Sequence, residues 1–250
     1  MRYIDNCNIH RQTIIDNFAP AECHTNILTE EVLKKIQMYQ FTKAYDVKFA
    51  STSSNLQPIC DIDEMFDEIP ELNEIFKELI GEYSDKHTGN FYITTQLHDA
   101  HADLLTEKET QAKEFHWAKN VIPYKSAIIP LSISNKSFAS TAFYRQRHIG
   151  YSVTLDRVNI SSQENSMYEI AREYPEFYNY GNNYKGPKMY FPHIPEENNE
   201  GLDIETVCRF FTGDIMLFDS CQIHASCLSK NLEHYKFLKN GLNIQFYREV

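Results

Sequence analysis

The sequence predicts a mostly β protein in which helices come first and an antiparallel barrel or sandwich follows. Three observations carry this reading. Two amphipathic stretches of helical period lie within the first 89 residues, and short β-like runs separated by turn signals begin at Asn90. The chain also holds 16 Tyr and 16 Phe against only 8 Gly, a balance that suits sheets and a lined pocket. At 250 residues and 42% hydrophobic, it is long and apolar enough for one domain with a substantial core, which excludes a disordered chain.

The elements follow in order. "LTEEVLKKIQMYQF" offers Thr29 as an N-cap, acidic residues in the first turn, and an apolar stripe through Val32, Ile36 and Tyr39. "DIDEMFDEIPELNEIFKELIGEYS" is amphipathic through Leu72, Ile75, Phe76, Leu79 and Ile80. Pro70 starts or kinks a helix there, and Gly81 helps to end it. These helices are expected to buttress a sheet. The strand candidates are "NFYITTQL", "SAIIPLSIS", "IGYSVTLDRV", "IETVCRF", "DIMLFDSCQIHAS" and "LNIQFYREV". Between Ser161 and Gly201 the chain is rich in Asn, Tyr, Gly and Pro. That stretch reads as a long loop or lid, with one short helix at "SMYEIAREY". The expected organisation is a single domain, with a helical buttress over 1–89 and a β core over 90–250 that carries the insertion at about 161–201.

The net charge of −11 repels phosphate backbones, so general nucleic-acid binding is not expected. Arg145, Arg147, Arg157, Lys185 and Lys188 read as scattered solvated charge, with a local basic pocket as the alternative. No run approaches the roughly 18 apolar residues that span a bilayer, and the N-terminal residues do not read as a secretion signal. A cytoplasmic protein without membrane association is the expectation, its six cysteines free thiols. Cys221-x-x-His224-x-x-Cys227 has zinc-like content, but residues three apart on a strand face opposite sides.

Chemistry concentrates in two places. "DAHADLL" reads as a strand, on which His101 and Asp103, two apart, share one face. "FTGDIMLFDSCQIHASCL" has a Gly213-Asp214 turn, a compact apolar strand from Ile215 to Phe218, and His224 where the chain is expected to leave the core. Two imidazoles and one carboxylate form a facial triad, the arrangement that leaves open positions on a non-haem ferrous ion. His98 is assigned a supporting role, because it faces away from His101 on a regular strand. Tyr92, Gln96, Tyr124, His116 and Trp117 are candidates for lining the pocket or packing nearby.

The order of these motifs resembles the Fe(II)/2-oxoglutarate-dependent oxygenases, and most of all their phytanoyl-CoA-hydroxylase-like and related bacterial or phage branches. The resemblance covers roughly the last two thirds of the chain. It implies a double-stranded β-helix (a jelly-roll or cupin-like core), with His101, Asp103 and His224 as iron ligands. It also implies a cation for the distal carboxylate of 2-oxoglutarate. Lys239 in "FLKNGLNIQFYREV" takes that place, with Gly241 where the family pattern has a hydroxyl residue. Lys125 is the alternative.

The implied reaction consumes O2 and 2-oxoglutarate, releases succinate and CO2, and oxidises substrate through a ferryl-oxo species, with ascorbate as an in vitro aid. The intact Asp103 implies hydroxylation or a related oxidation, since halogenating relatives replace that carboxylate. A small-molecule substrate is expected. The alternatives are a protein or peptide side chain as substrate, or a non-catalytic cupin-like metal- or ligand-binding protein.

Overall fold

The structure is a computed structural model that describes residues 3–43, 59–81, 83, 87–94, 97–102, 121–134, 139–149, 153–154, 191, 193–194, 202–228 and 238–250. Asp103, Gln96, His116, Trp117, Arg157, Lys185, Lys188 and the expected helix at "SMYEIAREY" lie outside these residues.

Helices α1 (Tyr3–Ile9) and α2 (Arg11–Asp16) open the chain, then α3 (Glu30–Lys43), α4 (Ile62–Glu68) and α5 (Pro70–Ile80) follow. The strands are β1 (Glu22–His24), β2 (Ile59–Cys60), β3 (His87–Thr94), β4 (His101–Ala102), β5 (Val121–Ser134) and β6 (Ala139–Arg147). They continue with β7 (Val153–Thr154), β8 (Ile204–Arg209), β9 (Ile215–Asp219), β10 (Gln222–Leu228) and β11 (Leu238–Glu249).

The helix signals act as the sequence suggests. Thr29 Oγ1 accepts from the Val32 amide at 3.3 Å and caps α3. Asp61 caps α4 by accepting from the Glu64 amide at 3.0 Å. Pro70 is the first residue of α5, where its missing N–H has no partner to lose. Gly81 ends that helix at φ +66, a left-handed conformation glycine adopts without strain. Helices α1 and α2 are additional to the expected pair.

The strands form two antiparallel sheets. One runs β1-β9-β5-β11-β3-β2, the other β7-β4-β10-β6-β8. The chain steps repeatedly from one sheet to the other, so that β3-β11-β5-β9 faces β4-β10-β6-β8. This is a double-stranded β-helix, a closed way of packing two antiparallel layers. The helices cover the outer face of the larger sheet. Ile36, Leu72 and Phe76 join Phe91, Ala127, Ile129, Leu242, Ile244 and Phe246 in one buried cluster. The alternate residues of those strands face the interior between the sheets.

Three expectations shift. "DIMLFDSCQIHAS" is two strands divided by a turn at Ser220-Cys221, so His224 sits inside a fully buried strand and does not leave the core. "ASTAFYRQR" is the internal strand β6, whose near-continuous burial hides any alternation. The short strands β1 and β2 come from the N-terminal part of the chain and extend the larger sheet at its two ends.

One margin is tied by buried charge. Asp219 accepts from Lys125 Nζ at 2.6 Å and from Arg147 Nε at 3.1 Å, and Arg147 reaches Glu205 at 3.5 Å. The Ala19 amide also donates to Asp219 at 3.1 Å, while Arg147 Nη2 donates to the Ala19 carbonyl at 2.8 Å. The network thus clasps the segment that leads into β1. Asp219→Ala removes the anion shared by two buried cations, leaving Lys125 without it and Arg147 with the longer carboxylate contact, to Glu205. It is expected to destabilise the fold by about 3–5 kcal/mol in a denaturant titration.

Candidate metal and anion site

His224 lies near the middle of β10, directly opposite His101 on β4 and Phe143 on β6. The His101 and His224 ring centroids are 4.3 Å apart. Each ring is held by its own strand. His224 Nδ1 donates to the Gln222 carbonyl at 3.0 Å, and His101 Nδ1 donates to the Asp99 carbonyl. A carbonyl only accepts, so each Nδ1 carries a proton, and Nε2 is the ring nitrogen able to ligate a metal. This is how metal-ligating histidines are oriented, with the second ring nitrogen fixed by a backbone oxygen. Phe218 and Phe143 pack on the His224 ring at 4.9 and 5.8 Å and shield it from water.

Lys239 is the buried cation of the same interior. It is 3% exposed, donates to Ser226 Oγ at 3.2 Å and sits 5.3 Å above the Phe210 ring. Ser226 follows His224 by two on β10, so both point the same way. The same hydroxyl accepts from the His98 amide at 3.0 Å, and the Ser226 amide donates to the His98 carbonyl at 3.0 Å. One serine therefore links the lysine to the segment that leads into His101. Burial pulls the Lys239 ammonium down to about 8 from its ordinary 10.5.

Lys125 sits differently. Its neighbour Ser126 pairs with Phe218, which faces His224, so the alternation of β5 turns Lys125 to the other side of the strand. There Asp219 holds it. Tyr124 lies between Lys125 and Arg248, 5.6 and 5.2 Å from its ring. Of the arginines read as solvated charge, Arg147 is instead buried in the Asp219 network.

Glycine at 241 has a physical reason. A Cβ there lies 2.5 Å from Tyr92 Oη and Cζ, so the phenol occupies the space a side chain would fill. Tyr92 is the direct cross-strand neighbour of Gly241, and its ring packs near Phe210 and His98. Gly241→Ala is expected to displace this ring and cost about 1–3 kcal/mol of stability, read as a lowered melting temperature.

The sequence analysis missed Ser226 and Phe210. A lone serine in "HAS" carries no signal of its own, and Phe210 reads as ordinary core. Gly213 serves the site indirectly: at φ +99 it makes the turn into β9, where Asp214 accepts from the Asn26 amide at 2.9 Å. The His193 ring reaches the site's margin with Nε2 2.9 Å from the His98 carbonyl, and burial holds its pKa below the usual value.

No protein-family model and no curated protein sequence matches the chain. Solved structures with a similar fold include a Pseudomonas putida prolyl-4-hydroxylase, at 9% identity over 99% of this chain and 97% of that one, with a TM-score of 0.45. A second is SnoK, a non-haem alpha-ketoglutarate-dependent carbocyclase from nogalamycin biosynthesis, at 9% identity, 98% and 83% coverage, and a TM-score of 0.43. A third is HygX from Streptomyces hygroscopicus with nickel, 2-oxoglutarate and hygromycin B bound, at 12% identity, 96% and 87% coverage, and a TM-score of 0.43. No helix among the described residues is long and apolar enough to cross a membrane.

Proposed function

We propose that the chain is a non-haem Fe(II)- and 2-oxoglutarate-dependent oxygenase that hydroxylates a small molecule. His101, Asp103 and His224 are its metal ligands, and Lys239 is its anchor for the distal carboxylate of 2-oxoglutarate. The observation that carries this reading is the His101–His224 pair. Two imidazoles from different strands stand 4.3 Å apart between the sheets, each with Nδ1 committed to a carbonyl two residues earlier. Two nitrogens and the Asp103 carboxylate are a donor set suited to a ferrous ion. When bound, that ion supplies the electrons that activate dioxygen for the decarboxylation of 2-oxoglutarate to succinate and CO2.

The chain's own residues do the rest. Phe143 and Phe218 exclude water around His224. Lys239 meets a carboxylate with a full charge in a poorly solvated place, where such a pair is worth most. Ser226 holds the ammonium against the strand that carries His224, which sets the distance between the two ends of a bound dicarboxylate. The depth of the site supports a compact substrate, since His224 is 4% and Lys239 3% exposed.

The test is succinate formation from 2-oxoglutarate with Fe(II) and oxygen, compared between the native protein and His101→Ala. Formation that depends on His101 is the expected result. Native protein that binds no Fe(II), or a variant as active as the native chain, would overturn the reading.

A further inference from the structure

The two sheets meet at a seam where their end strands approach each other. β1 is the last strand of the larger sheet and β8 the last of the smaller, and their backbones come within 8 Å. The Ala21 amide donates to Glu205 Oε2 at 3.3 Å, and Thr206 Oγ1 donates to the Ala21 carbonyl at 3.2 Å, so the chain entering β1 is fastened to β8.

Each of these strands contributes one cysteine to the seam. Cys23 pairs with Met216, and Cys208 pairs with Thr141, itself opposite Ser226. Met216, Phe210, Phe218 and Cys208 form one interior cluster, and Cys23 packs against it. The two thiols are close enough that each shifts the titration of the other.

We propose that Cys23 and Cys208 form an oxidisable dithiol that a hydroperoxide closes to a disulfide, joining the two sheets across their open margin. Cys23 is half-buried, so an oxidant reaches it, while Cys208 lies behind it at 1% exposure. The neighbouring Cys208 thiol lowers the Cys23 pKa against the opposing effects of burial and Asp214. The other described thiols are all buried. Cys227 is pushed up to about 12, and Cys221 well above its usual value, both by burial. The attacking sulfur must be a thiolate that solvent can reach, and Cys23 alone combines a lowered pKa with exposure among the described cysteines.

The chemistry closes without any other reactant. The Cys23 thiolate attacks one oxygen of hydrogen peroxide, the O–O bond breaks, and the departing hydroxide takes up a proton to leave as water. Cys23 is then a sulfenic acid. Its negative charge is gone, and with it the influences of the Cys23 thiolate that raised the Cys208 pKa, burial aside. Cys208 loses its proton, its sulfur attacks the Cys23 sulfur, the S–O bond breaks, and a second water leaves. Two thiols have given two electrons to one peroxide. The new bond holds β8 in place, and with it Phe210, the ring beneath Lys239.

The experiment treats the full chain with stoichiometric hydrogen peroxide, alkylates the remaining thiols, and maps peptides by mass without reduction. The expected product is a Cys23–Cys208 linked peptide, two hydrogens lighter than the sum of its parts and reversed by dithiothreitol. In Cys208→Ser, Cys23 is expected to persist as a sulfenic acid that dimedone traps. Native protein in which both cysteines stay alkylatable, in which Cys23 runs on to sulfinic acid, or in which either one pairs with a different cysteine, overturns the proposal. The native map decides alone if the variant does not fold.

Discussion

His224→Ala is expected to lower the affinity for Fe(II) by more than about 100-fold and to abolish succinate formation. Disturbing a residue that merely orients a ligand already costs roughly 10- to 100-fold in metal affinity, and this substitution removes the ligand itself. The geometry makes the loss specific. His224 Nδ1 is committed to the Gln222 carbonyl, and Phe218 and Phe143 leave little room for a water to take the place of the imidazole. Anaerobic calorimetric titration with Fe(II), or with Mn(II) as a stable substitute, reads the effect directly. His101→Ala serves as the companion, because His101 is only half-buried and its truncation leaves a smaller void. Unchanged binding in both variants would remove His101 and His224 from the metal site.

Lys239→Met is expected to raise the apparent KM for 2-oxoglutarate by roughly 30- to 1000-fold, the range for losing one partner of a buried charge pair at about 2–4 kcal/mol. Methionine keeps the length and apolar character of the stem, so the Phe210 contact survives and the charge is what is lost. Two pH effects separate this role from simple packing. In the native protein, affinity for 2-oxoglutarate is expected to fall as pH rises through about 8, where the ammonium loses its proton.

The stability effect runs the other way. Below about 8 the folded and unfolded chains both carry the charge, and the folded state bears the whole cost of desolvating it. Between about 8 and the ordinary value near 10.5, the unfolded chain binds more protons, so stability rises with pH. Lys239→Met is expected to be more stable than the native protein at neutral pH and to lose that rise. Denaturant midpoints across the interval test it, and a native profile without the rise counts against a buried, desolvated Lys239.

Some of this molecule is legible in local sequence because local physics decides it. The period of "ELNEIFKELI", the Pro at its first position and the Gly at its end specify α5 with no help from the rest of the chain. The expectation that His101 and Asp103, two apart, share a face needs only the alternation of a strand. The apolar run at 215–218 reads as buried because nothing in it tolerates water. Other features exist only once distant strands pair. Strand β6 is buried along nearly its whole length because β10 and β8 flank it on its two edges, so its sequence shows no alternation to read. Strands β1 and β2 are too short to announce themselves and are strands by virtue of their partners.

The choice between the two lysines has the same character. Both are lysines near apolar runs. What separates them is which face of its strand each occupies, and that Asp219 meets Lys125 while Ser226 meets Lys239. By itself the sequence determined the helices from α3 to α5, the strand-rich core and the residue types able to bind a metal. Only the tertiary structure decided that His101 stands opposite His224, that Tyr92 fills the space over Gly241, and that Cys23 meets Cys208. Each of those pairs joins residues far apart in the chain, and the register that unites them is set by burial and hydrogen bonding across whole sheets.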